Sequence, residues 1–122
     1  MAKVIAILFY ALAFIHVLPA LSGMSRGRLA GLYGLDAGDE ALMTLMQHRS
    51  VLFALAASAC VYAAHVASAR WPVLIAVFIS MASFIVIAIS RGQLSSSLSK
   101  IAYVDGIGLL IAALLAAIFF RT

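Results

Sequence analysis

Residues 72–90 are PVLIAVFISMASFIVIAIS, a predominantly apolar run without a charged side chain. A helix needs about 20 such residues to cross the ~30 Å hydrocarbon core of a bilayer. Similar runs occupy residues 4–21, 50–69 and 101–120. Because backbone groups inside lipid must hydrogen-bond within their own segment, each run is predicted to be a helix. The sequence therefore predicts an all-α chain in which residues 1–122 form one domain, a four-helix transmembrane bundle.

The composition of the whole chain agrees with this prediction. Of its 122 residues, 66% are hydrophobic and 10% are charged, and the mean hydropathy is +1.20. Soluble domains average roughly 45–50% apolar and roughly 25% charged residues. The composition therefore excludes a soluble enzyme.

The chain has a net positive charge, and its basic residues lie near the ends of the apolar runs. Eight Lys and Arg against four Asp and Glu give a net charge of +4. At these positions basic side chains contact lipid headgroups and set the orientation of the protein, so membrane lipids are expected partners and nucleic acid is not. Five basic residues on the loop side, against three plus the N-terminal amine on the other side, favour cytoplasmic loops with the termini opposite. The residues compared are Arg26, Arg28, Arg49, Arg91 and Lys100 against Lys3, Arg70 and Arg121.

The segments between the runs carry helix-boundary signals. Residues 22–47 form the longest non-spanning stretch, and its first part, rich in Gly and Ser, is predicted to be a loop. Asp36 is a favoured N-cap. The second helix is therefore predicted over residues 37–69, about 33 residues or roughly 50 Å, which extends beyond the membrane. Residues 91–100 form the second predicted loop, where Ser99 is expected to cap the fourth helix.

Seven polar side chains are predicted to meet in one shallow layer at the loop side of the bundle. His16 lies roughly 7 Å inside the end of the first run, and Asp105 lies about 6 Å inside the start of the fourth. Polar groups at such depths are costly in a membrane and are candidates for function. The candidate ligand-binding residues are His16, Gln47, His48, Arg49, Arg91, Tyr103 and Asp105.

Asp105 and His16 are the candidates for chemistry. Asp105 shares a helix face with small residues, which allow close helix packing, so the carboxylate is expected to face the bundle interior. Its expected partner is Arg49, and Arg91 and His16 are the next candidates. Three interpretations stay open for Asp105: an ion pair that joins two helices, a catalytic or ligand-binding carboxylate, or favourable placement near a helix start. His16 is either a hydrogen-bond donor to a neighbouring helix or a general acid/base and ligand donor.

The sequence predicts neither a metal site nor a disulfide. His16, His48 and Asp105 come from different helices, and no HxxxH or ExxH pair occurs. Cys60 is the single cysteine and lies inside an apolar run, so it has no partner in the chain.

Four motifs carry a resemblance that covers the whole chain: AFIHVLPAL (13–21), LYGLDAGD (32–39), QHRSVLFAL (47–55) and YVDGIGL (103–109). With them the chain resembles the DoxX-like kind of small four-helix bacterial membrane protein. The resemblance implies a multi-pass protein of the bacterial inner membrane. Most proteins of this kind have no assigned biochemical function, and some are associated with quinone-linked redox complexes as membrane subunits.

The leading functional prediction is a membrane protein that binds a lipid-like ligand in a shallow, polar-capped pocket. A quinone, an isoprenoid or a lipid would fit such a pocket, and the chain would act as an accessory subunit of a membrane complex. One alternative is a small membrane enzyme that uses His16 and Asp105 for acid/base chemistry on a lipidic substrate. Others are a small proton-coupled transporter and a cluster that only stabilises the bundle. No cofactor is assigned beyond the quinone candidate, and whether the chain is an enzyme stays open.

Overall fold

Helices account for almost all of the residues that the computed structural model describes, 1–92 and 95–121. The all-α prediction is confirmed, since no strand occurs within these residues. Five α-helices and a short 3-10 helix follow one another in this part of the chain: α1 (Ala2–Ser22), α2 (Arg26–Tyr33), α3 (Glu40–His65), the 3-10 helix Ala67–Ala69, α4 (Arg70–Ser90) and α5 (Ser96–Arg121).

Three helical segments within the described residues are long and apolar enough to cross a membrane. They are Ala2–Ser22, Ala67–Ser90 and Ser96–Arg121, with mean hydropathies of 2.4, 2.7 and 2.3. The chain is therefore a membrane protein by the length and composition of its helices. The predicted fourth span, residues 50–69, is not continuous, because α3 ends at His65 and a 3-10 turn follows.

The helix predicted over residues 37–69 is shorter in the structure, where α3 has 26 residues. Asp36 does not cap it. Its carboxylate instead accepts a hydrogen bond from the Gly38 amide at 2.9 Å, which closes a local turn. Asp39 is the N-cap, and it accepts from the Leu42 amide at 3.1 Å. At the other end, Val66 has an extended backbone (φ −122°, ψ 107°), which ends the helix.

The segment predicted to be a loop contains α2. Ser25 caps this helix by accepting from the Arg28 amide at 3.1 Å. Gly34 ends it in the left-handed region (φ 67°), which glycine adopts without steric cost. Two side chains four residues apart, Leu29 and Tyr33, are buried against the first turn of α3. The Arg26 guanidinium also forms an ion pair with Glu40, so α2 is attached to the start of α3 by charge as well as by packing.

The cap predicted for the last helix lies elsewhere. Helix α5 begins at Ser96, and the Ser95 hydroxyl accepts a hydrogen bond from the Leu98 amide at 3.2 Å. Ser99 lies inside the helix, so its prediction as a cap is wrong. Residues 93 and 94 of the predicted loop 91–100 lie outside the described residues.

The main apolar core lies between the four long helices. Helix α1 packs most extensively against α3, α4 packs against α5, and α1 also contacts α5. Helices α3 and α4 contact each other less, and this leaves a groove between them. Fully buried side chains from the four helices fill the centre: Phe9, Leu12, Cys60, Met81 and Leu115.

Candidate functional site

A cavity of about 290 Å³ lies where α1, α2, α3 and α5 converge. Most of its wall is apolar and comes from residues such as Ile15, Leu18, Leu32, Ile101 and Val104. Its polar or aromatic side chains are few: His16, Tyr33, Phe53, Ser97, Lys100 and Asp105. We call this space the histidine cavity. An apolar cavity with a few convergent polar groups is the usual form of a small-molecule site.

The geometry of His16 defines which of its ring nitrogens is free for a ligand. The side chain is only 2% exposed, and its Nδ1 lies 2.8 Å from the Leu12 carbonyl oxygen. Because a carbonyl only accepts, Nδ1 carries the proton, and the neutral ring keeps its lone pair on Nε2. His16 is therefore oriented by its own helix and can offer Nε2 as an acceptor to a hydroxyl group.

Pro19 adds a second polar feature to the same wall of α1. Proline has no amide proton, so the carbonyl of Ile15 loses its usual helical partner four residues on. Ile15 and Pro19 both line the histidine cavity. One turn further along α1, the Ser22 hydroxyl donates a hydrogen bond to the Pro19 carbonyl oxygen.

Asp105 and Tyr33 face the charge of Arg49. Asp105 is half-buried on α5, and the Arg49 guanidinium acts on its carboxylate electrostatically. No ion pair within 4.0 Å joins the two residues in the described part of the chain. Burial raises the pKa of the Tyr33 hydroxyl, and the nearby Arg49 guanidinium offsets part of that increase. The predicted interaction between Asp105 and Arg49 is therefore electrostatic and acts without an ion-pair contact.

A second space, the α3–α4 groove, has a volume of about 430 Å³. Arg49, on α3, and Arg91, at the end of the antiparallel α4, mark one end of it. The Arg49 guanidinium carbon lies 5.0 Å from the ring centroid of Phe53 and 5.5 Å from that of Phe84, so one cation bridges aromatic rings of two helices. Its Nε is buried and has no hydrogen-bond partner among the described residues.

The structure divides the residues predicted for one shallow pocket. His16 and Asp105 line the histidine cavity, whereas Arg49 and Arg91 line the α3–α4 groove. The remaining three candidates are exposed and line neither space: Gln47, His48 and Tyr103.

Tyr33 and Ser97 are cavity residues that the sequence does not predict, and Lys100 contributes only to the predicted orientation. Tyr33 is not predicted because it lies in α2, within the segment that is predicted to be a loop. The four-residue spacing of Leu29 and Tyr33 between a Ser cap and a Gly is the signal that marks this helix.

No family model, curated protein or solved structure matches the chain. Among the described residues, no group of three or more His, Cys, Asp and Glu side chains is placed to hold a metal ion. What the histidine cavity can do follows from its own groups. It combines a hydroxyl donor at Tyr33, a lone pair at His16 and a carboxylate at Asp105 with an apolar wall.

Proposed function

We propose that the chain is a DoxX-like, four-helix transmembrane bundle of the bacterial inner membrane that binds a lipid-like ligand in the histidine cavity. In this proposal α3 is the fourth spanning helix, the loops face the cytoplasm, and the chain acts as an accessory subunit of a membrane complex. The observation that carries it is the buried His16, which lines a mainly apolar cavity together with Tyr33 and Asp105.

A quinone, an isoprenoid alcohol or a lipid headgroup would use these groups in a defined way. The Tyr33 hydroxyl donates to a carbonyl oxygen, and His16 Nε2 accepts from a hydroxyl. A quinone and its quinol need a donor and an acceptor respectively, and the cavity offers both. The apolar tail of such a ligand would lie against the residues of α1 and α5 that line the cavity.

The test is ligand-dependent thermal stabilisation of the detergent-purified chain. A ligand that binds only the folded state stabilises it by about 2.7 kcal/mol at a concentration 100 times its Kd. The probes are a short-chain ubiquinone, its quinol and a polyprenol. We expect at least one probe to raise the melting temperature and the increase to be lost in His16→Ala and Tyr33→Phe.

The matched control is Tyr103→Phe, since Tyr103 is 74% exposed and does not line the cavity. It removes a tyrosine hydroxyl from the N-terminal part of α5 and should keep the full thermal shift. An equal shift in wild type, Tyr33→Phe and His16→Ala would contradict the proposed site, as would the absence of any shift with all three probes.

A second candidate function is acid/base catalysis on a lipidic substrate. It is favoured by one observation, that the His16 imidazole and the Asp105 carboxylate line the same cavity. A catalytic role predicts that Asp105→Asn abolishes turnover of the bound molecule while the molecule still stabilises the protein. Mass spectrometry of the bound molecule before and after incubation separates this role from binding alone.

A further inference from the structure

At the end distant from Arg49 and Arg91, the α3–α4 groove continues into a second apolar depression. This depression, of about 250 Å³, lies along the same two helices and shares Ala56 and Ser80 with the groove. This depression reaches Pro72 in the first turn of α4. Because small side chains line most of the path formed by the groove and the depression, it can accept a linear apolar chain that lies along the helices.

The charged end of the groove has a single sign. Arg49 and Arg91 line it, and none of its lining residues is acidic. Arg49 is held against the rings of Phe53 and Phe84, and its buried Nε has no acceptor among the described residues. Because two guanidinium groups line this end and no lining residue of the groove is acidic, it favours a ligand with anionic oxygens.

We propose that the α3–α4 groove binds an anionic phospholipid, with its phosphate at Arg49 and Arg91 and one acyl chain along the path past Ala56 and Ser80. Guanidinium groups bind phosphate oxygens through paired hydrogen bonds, and basic pockets between transmembrane helices bind anionic headgroups. An uncharged ligand such as a quinone would leave Arg91 without an anionic partner in the groove, where none of the lining residues is acidic. The lipid site is therefore distinct in chemistry from the histidine cavity, although the two spaces share Phe53.

The test compares two lipids with identical chains, dioleoyl phosphatidylglycerol and dioleoyl phosphatidylcholine. Each is titrated into the full chain in neutral detergent, and native mass spectrometry measures the fraction of protein with bound lipid. We expect phosphatidylglycerol to bind about 30-fold more tightly, or about fivefold for each arginine. Equal binding of the two lipids would overturn the proposal.

Three variants locate the lipid. Arg91→Gln should weaken phosphatidylglycerol binding about fivefold and phosphatidylcholine binding less, because the choline cation offsets the charge of the phosphate. The control Arg28→Gln removes an exposed cation of α2 that does not line the groove and should change neither lipid. Ser83→Leu places bulk in the groove without changing its charge, so it should weaken binding of both lipids. Unchanged phosphatidylglycerol binding in Arg91→Gln or in Ser83→Leu would overturn the proposal.

Inorganic phosphate separates a lipid from a free anion. We expect phosphate to leave phosphatidylglycerol bound, because it cannot occupy the apolar path. Displacement by phosphate would overturn the lipid assignment. The quinone-dependent thermal shift is measured in Arg91→Gln as well, and it should equal the wild-type shift. The failure of one site is thereby distinguished from the failure of the other.

Discussion

The His16 imidazole packs against the ring of Phe53, with the two ring centroids 5.9 Å apart. Phe53 lines both the histidine cavity and the α3–α4 groove, and the Arg49 guanidinium lies 5.0 Å from the same ring. One aromatic side chain thus separates the histidine cavity, which has a carboxylate at Asp105, from a groove whose charged lining residues are both arginines. Because Phe53 contacts His16 and Arg49, a change in its position affects both spaces.

Replacing Phe53 with alanine should therefore join the two spaces and destabilise the bundle. Truncation of a fully buried Phe costs roughly 3–5 kcal/mol, and since Phe53 is half-buried we expect a loss of about 2 kcal/mol. Denaturant unfolding in detergent, followed by circular dichroism, measures this loss. The control is Phe14→Ala, because Phe14 is 63% exposed on α1. A loss in the control as large as in Phe53→Ala would show that Phe53 has no special packing role.

The apolar runs predicted most of the fold because long apolar helices are determined by local composition. Helix α2 is not predicted from the sequence because the segment RGRLAGLY has two glycines and only a short apolar pattern. It is stabilised by contacts that come from elsewhere in the chain, above all the burial of Leu29 and Tyr33 against Met43.

The site was predicted in part. The sequence selects seven polar residues, and the structure places four of them at one of the two spaces: His16, Asp105, Arg49 and Arg91. The other three line neither space: Gln47, His48 and Tyr103. The division of the first four residues into two pairs depends on the side chain of Phe53, which lines both spaces. Which rings pack between helices is a tertiary property, and a single sequence carries no signal for it.

The ion pair between Arg26 and Glu40 predicts a pH-dependent attachment of α2. Hydrogen bonds from Arg26 hold the pKa of the Glu40 carboxyl below its ordinary value. A lowered pKa in the folded state means that the pair stabilises the fold above the ordinary pKa of Glu. This stabilisation is lost as the pH falls through the folded-state pKa.

Amide hydrogen exchange of α2 measures this effect. Protection of α2 in wild type should exceed that in Glu40→Gln at pH 6, and the difference should vanish at acidic pH and in high salt. Arg28→Gln, a charge change on the same helix away from Glu40, should keep the wild-type pH dependence. A difference between wild type and Glu40→Gln that does not change with pH would contradict the ion pair.

The Tyr10 hydroxyl is hydrogen-bonded to His65 Nε2, which joins α1 to the last residue of α3. Side-chain hydrogen bonds between membrane helices contribute on average about 0.6 kcal/mol. A double-mutant cycle with Tyr10→Phe and His65→Ala should give a coupling energy of about this size in detergent unfolding. The control cycle of Tyr103→Phe with His65→Ala should give no coupling, because Tyr103 is 74% exposed on another helix, so equal values in the two cycles would contradict the contact.

Gly108 allows α5 to approach α4, and its replacement should disturb this contact. A Cβ atom at position 108 would collide with the Met81 sulfur, and Met81 is only 2% exposed, so it has little room to move. Gly108→Ala should therefore destabilise the protein by about 1–3 kcal/mol, the usual cost of overpacking.

Gly106 is the matched control on the same helix, since a Cβ there meets no atom within 4 Å. Gly106→Ala should stabilise the protein by about 0.5–1 kcal/mol, because alanine is the better helix former. The free energies of unfolding of wild type and both variants are measured in the same detergent. A change of the same sign in both variants would show that α4 and α5 do not pack closely at Gly108.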